Sequence, residues 1–275
     1  MKRGLTAAIY VLAALIGVAA FAYPFLLPSL QAAAGAQPEM GSRLAATPLL
    51  TALLVVLCLG ALLVEMQGEV VSTKTVAALG VLVAIASVLR FVETAVPGPG
   101  GFSPIFVPII LAGYVFGARF GFLTGALTLL VSALITGGVG PWLPYQMFVA
   151  AWMGFTAGWL PHWRRPRLEL ATLILFAGVW GLLFGLITNL YFWPFLLGDP
   201  ATNWQPGTGL GSALSRYAAF YVATSLFWDV MRAAGNAVLM VALGLPAVRA
   251  LSRFQERLQF VRVERGDYAP TSHAL

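Results

Sequence analysis

Long stretches without charge are the feature that most restricts how this chain can fold. No Asp, Glu, Lys or Arg occurs in residues 4–38, 44–64 or 120–163. A helix that crosses a bilayer needs about 20 consecutive, mostly apolar residues. Only 9% of the 275 residues are charged, against roughly 25% in a soluble domain. The sequence therefore predicts an all-α, multi-pass protein of the cell membrane.

Charged residues and helix-breaking turns divide the chain into about eight predicted transmembrane spans. The breaks are the Pro-Gly run at 97–101, the glycine-containing turn at 117–121 and the Gly-Pro turn at 136–141. The fourth span is short, which favours a tilted helix or buried irregular backbone before it. The predicted spans are 5–30, 46–64, 74–93, 102–116, 121–136, 143–161, 169–193 and 217–245.

The distribution of basic residues predicts the orientation in the membrane. Cytoplasmic loops carry an excess of Lys and Arg, and an eight-span chain with both termini inside leaves only Arg43 and Arg216 outside. The net charge of +6 is then explained by basic residues in cytoplasmic loops. We therefore expect no nucleic-acid partner. Twelve basic residues fall on the cytoplasmic side: Lys2, Arg3, Lys74, Arg119, Arg164, Arg165, Arg167, Arg249, Arg253, Arg257, Arg262 and Arg265.

The two ends of the chain each carry a further pattern. The N-terminus also fits a cleaved signal peptide, since Lys2-Arg3 is followed by an apolar run and by small residues at 34–36. The apolar run is, however, longer than the usual core of a signal peptide. Near the other end, Arg249, Arg253 and Arg257 recur every four residues with apolar residues between them. This spacing predicts an amphipathic helix at the lipid surface, so the bilayer itself is a partner.

Residue types needed for several kinds of chemistry are missing. The P-loop motif is absent, so the chain by itself is not a P-loop ATPase. The lone Cys58 and the two histidines, His162 and His273, supply neither a disulfide framework nor a Cys- or His-rich metal site. We therefore expect no enzymatic activity, no cofactor and no metal.

Four ionisable residues fall within or at the edge of the predicted spans. Such groups are costly in a membrane and are functional candidates. Arg90 and Glu93, at the outer end of span three, are either an interfacial ion pair or the charged wall of an outward-facing pocket. Asp229 and Arg232 have the same spacing in span eight, deeper than an outer pocket, and are interpreted as a structural pair locked with Asn236.

Aromatic and amide side chains are concentrated in the predicted outer segments. Trp and Tyr are common at both membrane interfaces, so an interfacial belt is one interpretation. The other is a pocket for a planar organic ligand, covered by the loop of about 20 residues before span eight. The candidate substrate-binding residues, with Arg90 and Glu93, are Trp142, Tyr145, Gln146, Asn189, Trp193, Asn203 and Trp204.

Small residues at four-residue spacing indicate close helix contacts. Gly80 and Ala84 have this spacing in span three, and Gly121 and Gly125 have it in span five. Such pairs let two backbones approach closely, inside one protein or between two.

The segment from Phe102 to Pro161 resembles the substrate-binding (S) subunits of energy-coupling factor (ECF) vitamin transporters. The resemblance rests on the turns at 114–121 (YVFGARFG) and 136–144 (TGGVGPWLP) and on the run at 232–237 (RAAGNA). It extends over about residues 74–260. It implies a six-helix binding domain at 73–262, preceded by two additional helices in 1–72 and followed by a cytoplasmic tail at 263–275.

The resemblance also implies a function and partners. Such a subunit captures a vitamin-like micronutrient outside the cell and delivers it inward with a membrane coupling protein and two ABC-type ATPases. A small-residue face on the family's first helix meets the coupling protein, which places that role on Gly80 and Ala84, with Gly where the family has Ala. Cobalamin or a related corrinoid is the expected ligand by family appearance. The alternatives are a stand-alone permease or channel that uses Asp229 and Arg232, and a structural membrane protein without ligand.

Overall fold

The computed structural model confirms an all-α protein in the part that it describes. The described residues are 2–33, 52–53, 56, 60, 73–96, 100–196, 199, 201–205 and 209–258, and they form helices with no strand. Four of these helices are long and apolar enough to cross a membrane: Lys74–Ala95, Ala118–Thr136, Pro166–Tyr191 and Leu226–Glu256. Two shorter apolar helical segments, Tyr10–Ala22 and Phe106–Phe116, accompany them.

Eight helices occur in the described residues, and most begin and end near the predicted limits. The second predicted span, 46–64, lies outside the described residues apart from four positions, as does the tail at 263–275. Two short 3-10 turns, Asn189–Tyr191 and Trp193–Phe195, follow the sixth helix. The helices are α1 (Lys2–Ala33), α2 (Thr73–Ala95), α3 (Phe106–Phe116), α4 (Ala118–Thr136), α5 (Leu143–Ala157), α6 (Pro166–Thr188), α7 (Leu210–Thr224) and α8 (Leu226–Leu258).

The short helix α3 lies in the centre of the bundle. It contacts α2, α4, α5, α6 and α8, and nine of its 11 residues are buried. A helix that is apolar on all sides requires this position, because every face must be covered. The single residue Gly117, at φ +96°, connects α3 to α4. This tight connection keeps α4 antiparallel and directly beside α3.

Glycines bring α4 and α5 into backbone contact. A Cβ at Gly121 would overlap the Gly154 carbonyl, and one at Gly125 would overlap the Ala150 carbonyl. Gly154 in turn faces the Gly121 carbonyl. The small-residue spacing in α4 therefore packs two helices of this chain together.

The predicted last span at 217–245 is wrong in its start, because the backbone breaks at Ser225. Helix α7 ends at Thr224, and α8 begins at Leu226. The Ser225 carbonyl accepts the Asp229 amide, and the Asn189 side chain donates to the Ser225 hydroxyl at 2.7 Å. The break places Asp229 in the first turn of α8, where a carboxylate interacts favourably with the helix dipole.

Helix α1 packs on the bundle through one aromatic face. Tyr10 and Phe21 are buried. Phe21 meets Tyr145 of α5 at 5.1 Å between ring centroids, and Gly17 lies directly against Phe148 of the same helix. The N-terminal helix thus contributes to the core of the protein.

Candidate substrate-binding site

A cavity of about 380 Å³ lies at one end of the helix bundle. At this end α2, α4 and α6 finish, and α3, α5 and α8 begin. We call it the cavity end, and the opposite end, where α3 meets α4, the turn end. The cavity is lined by Arg90, Glu93, Gly100, Gly101, Phe102, Ser103, Ile105, Phe106, Leu129, Gln146, Phe184, Trp228 and Arg232.

One ion pair of the cavity wall comes from the last turns of α2. Arg90 Nη1 lies 3.0 Å from Glu93 Oε1, and the Ser103 hydroxyl donates to Glu93 Oε2 at 2.7 Å. The two side chains are 31% and 17% exposed. Ser103 precedes α3, so this carboxylate also connects α3 to α2.

A second ion pair comes from the first turns of α8. Arg232 Nη1 pairs with Asp229 Oδ1, and the Tyr221 hydroxyl donates to Asp229 Oδ2 at 3.0 Å. Asp229 is 2% exposed. It fits only because Gly185 of α6 has no side chain, since a Cβ there would overlap both carboxylate oxygens.

Two phenylalanines hold the Arg232 guanidinium. Its central carbon lies 5.8 Å from the ring centroid of Phe106 and 5.5 Å from that of Phe184. Both distances fall within the range of cation–π attraction. The three side chains therefore form one wall of the cavity, in which an arginine is held beside two aromatic faces.

The glycines of the loop after α2 have a steric role at this cavity. Gly101, at φ +74°, lies so close to Trp228 that a Cβ would overlap the Trp228 carbonyl oxygen. Gly100 lies against the indole of the same residue. Phe102 then packs onto α8 where Gly235 has no side chain. The loop can approach the start of α8 because these three positions are glycine.

Three of the predicted binding residues, Arg90, Glu93 and Gln146, lie around this cavity. The placement of Arg232 below the pocket is wrong, because the break at Ser225 moves it up to the cavity wall. Asn236 does not lock the ion pair: its side chain is fully buried, and both polar atoms lack a partner among the described residues.

The other six predicted residues do not line the cavity. Trp142 is 40% exposed and donates to the Gly138 carbonyl at 3.1 Å. Tyr145 is buried and stacks on Tyr191 at 4.7 Å. The other four are engaged elsewhere. Three of them use their side chains, in the contacts Asn189–Ser225, Trp193–Tyr217 and Trp204–Phe25. Asn203 accepts a hydrogen bond from Arg216 through its backbone carbonyl.

Helix α2 presents the predicted partner-binding face outward. Gly80 and Ala84 are exposed, and no atom of the described residues lies within 4 Å of where a Gly80 Cβ would be. Large apolar side chains surround them, including Val81 at 58% and Val88 at 58% exposure. Among the described residues, nothing covers this stripe.

Comparison with known proteins shows the family of this chain. The family model of the ECF transporter substrate-specific component matches residues 74–244. The chain belongs to this family. The match runs from α2 into α8 and includes all the residues that line the cavity, whereas α1 lies outside it. No curated protein and no solved structure is detectably similar to the chain.

Family membership gives the coarse function. The chain is a substrate-specific component of a membrane transporter, a class that generally binds its substrate without enzymatic activity. The multi-pass architecture with its four long apolar helices agrees with a location in the membrane.

Proposed function

We propose that this protein is the substrate-binding membrane subunit of an ECF-type importer and that the cavity between α2, α3, α6 and α8 holds a vitamin-like micronutrient. The observation that carries the proposal is the cavity of about 380 Å³ within the family-matched region, which combines aromatic faces with two ion-paired arginines. Small-molecule sites combine apolar walls with a few directed polar groups, and this cavity brings Arg90, Glu93, Gln146 and Arg232 together with its aromatic faces. The volume favours a ligand smaller than the expected corrinoid.

The charge distribution supports a cavity that opens outside the cell. Exposed basic residues mark the turn end and the segments beside it, among them Lys74, Arg119, Arg164 and Arg253. Both arginines of the cavity, in contrast, are paired with acids. By the positive-inside rule this distribution supports a cytoplasmic turn end, and with it the proposal that both termini lie inside.

A coupling protein driven by two ATPases is the proposed source of energy. The family is a transporter component, and the sequence contains no P-loop motif. The open stripe around Gly80 and Ala84 has the small residues that let a partner helix approach closely. We propose this stripe of α2 as the contact with the coupling protein.

Co-purification tests the proposed contact. The tagged chain is co-expressed with the coupling protein and ATPases of the same genome, as the wild type and as Gly80→Leu or Ala84→Leu. We expect either substitution to remove most of the coupling protein from the purified complex, since bulk separates the helices. Gly178→Leu is the matched control, because Gly178 of α6 also faces open space. Equal recovery of the complex with all four chains would contradict the contact.

A stand-alone permease that uses Asp229 and Arg232 is the alternative. Both oxygens of Asp229 are already engaged, one by Arg232 and the other by Tyr221. A proton relay or gate requires a carboxylate that changes partners, so these contacts favour the binding subunit. ATP-independent accumulation of substrate by the chain alone would establish the permease instead.

A further inference from the structure

We infer that the cavity is selective for a planar ring that carries several hydrogen-bond acceptors and is uncharged or anionic, and that it rejects cationic rings. This inference rests on the proposed function and names the chemical class of its substrate. Three observations carry it: the unused hydrogen-bond donors, the engaged carboxylates and the flat aromatic walls.

The cavity offers donors that the described part of the protein does not use. A guanidinium has five N–H groups. The described bonds of Arg90 and Arg232 all involve Nη1, to Glu93 in one case and to Asp229 and the Gly181 carbonyl in the other. The remaining N–H groups of these two arginines, from two different helices, are bonded to no described residue and can donate to a molecule in the cavity. Arginine prefers carboxylates and other acceptors that can take two parallel hydrogen bonds.

The carboxylates, in contrast, are engaged within the protein. Glu93 is the single acid among the described residues that line the cavity, and each of its oxygens already accepts a bond, from Arg90 and from Ser103. Asp229 lies behind Arg232, outside the lining, with both oxygens engaged. A cationic ring would have to break one of these ion pairs and would still face two arginines.

The apolar walls determine the shape of the ligand. Phe102, Phe106, Phe184 and Trp228 line the cavity. Phe106 and Phe184 pack against each other at 4.7 Å between centroids with a tilt of 46°, so a ligand ring stacks beside this pair and not between its two members. Aromatic faces stack on a flat ring and contribute about 0.5–1.5 kcal/mol beyond the area that they bury. A flat ring bordered by acceptors therefore fits both the walls and the donors.

Capture from a complex mixture tests the class without a prior choice of ligand. The full-length protein in lipid nanodiscs is dialysed against yeast extract supplemented with riboflavin, an uncharged ring rich in acceptors, and thiamine, a cationic ring. Molecules retained after washing are identified by mass spectrometry, and the affinity of the most enriched one is measured by calorimetry. We expect it to be a planar, acceptor-rich ring without positive charge.

Three variants assign the selectivity to the cavity. Arg90→Gln and Arg232→Gln should each weaken binding of the enriched molecule at least tenfold. Arg90 is partly exposed, so its substitution keeps the test valid if Arg232→Gln does not fold. Arg216→Gln is the control, since Arg216 of α7 contacts the Asn203 carbonyl and does not line the cavity. It should bind as the wild type does.

The outcomes separate this inference from the proposed function. Enrichment of thiamine, of another cation or of an acyclic molecule would overturn the substrate class and leave a binding subunit in place. Unchanged affinity in the folded Arg90→Gln variant would overturn the role of the arginines. Enrichment of no small molecule by a folded protein would overturn the proposed function together with the inference.

Discussion

Gly185 of α6 controls whether Arg232 can face the cavity. A Cβ at this position would overlap both carboxylate oxygens of Asp229. The Gly185→Ala substitution must therefore push Asp229 away from α6, which breaks its bond to Tyr221 and its pair with Arg232. Arg232 then loses the partner that holds it at the cavity wall.

The expected magnitude follows from the contacts that are lost. A hydrogen bond to a charged group contributes about 1.5–3 kcal/mol, and two such bonds depend on the position of Asp229. Alanine has a higher helix propensity than glycine, which offsets up to about 1 kcal/mol of the lost stability. We expect the free energy of unfolding to fall by about 3 kcal/mol, and substrate affinity to fall at least tenfold because Arg232 moves.

The free energy of unfolding is measured in mixed detergent micelles. The affinity is measured by calorimetric titration with the molecule that the protein enriches from yeast extract. Gly178→Ala on the same helix is the control, because a Cβ there meets no atom of the described residues within 4 Å. This variant should be as stable as the wild type or slightly more so. If Gly185→Ala matched Gly178→Ala in both stability and affinity, the steric argument for Asp229 and Arg232 would be refuted.

Three further predictions concern the pocket, the topology and the N-terminus. Phe184→Ala removes an aromatic wall of the cavity, and a loss of about 1.4 kcal/mol in binding free energy would weaken substrate binding tenfold. Trp204→Ala, outside the cavity, should change the affinity less than about twofold. Equal effects of the two substitutions in calorimetry would indicate that the aromatic loop belongs to the site. In a Cys58→Ser background, a cysteine at position 212 should react with an impermeant thiol reagent in intact cells, and a cysteine at position 166 should not. The opposite labelling would show that the proposed orientation is inverted. Helix α1 buries an aromatic face against α5, so residues 1–36 should remain attached when this sequence is expressed. A mass lower by about these residues would show cleavage as a signal peptide.

The helical architecture could be predicted because it depends on local properties of the chain. Charge-free stretches of sufficient length form membrane helices, and glycine and proline mark where they end. Gly137, for example, ends α4 at φ +68°, inside the predicted break. The break at Ser225 carries no such signal: Tyr221 to Asp229 contain neither Gly nor Pro, and the Asn189 contact comes from a distant part of the chain.

The binding site could be predicted only in part, because it depends on how helices face one another. Arg90 and Glu93 were recognisable from their charge and their position at a helix end. Arg232 has the same charge, but the sequence predicts that it lies deeper in the membrane than the pocket. This prediction depends on a start of the last span at residue 217, nine residues before helix α8 begins. Phe102, Phe106 and Phe184 lie among many apolar residues of their segments, and only the packing of α3 between α6 and α8 selects them. Trp142 and Trp204 have the composition of a pocket and instead pack in the loops.

Substrate accumulation in reconstituted vesicles tests the central claim most directly. Vesicles contain either this chain alone or the chain with its coupling protein and two ATPases, and the molecule captured from yeast extract is supplied outside in radiolabelled form. We predict that the chain alone binds this molecule without accumulating it, and that accumulation requires all the partners together with ATP. Accumulation by the chain alone, without ATP, would contradict a binding subunit that depends on a coupling module.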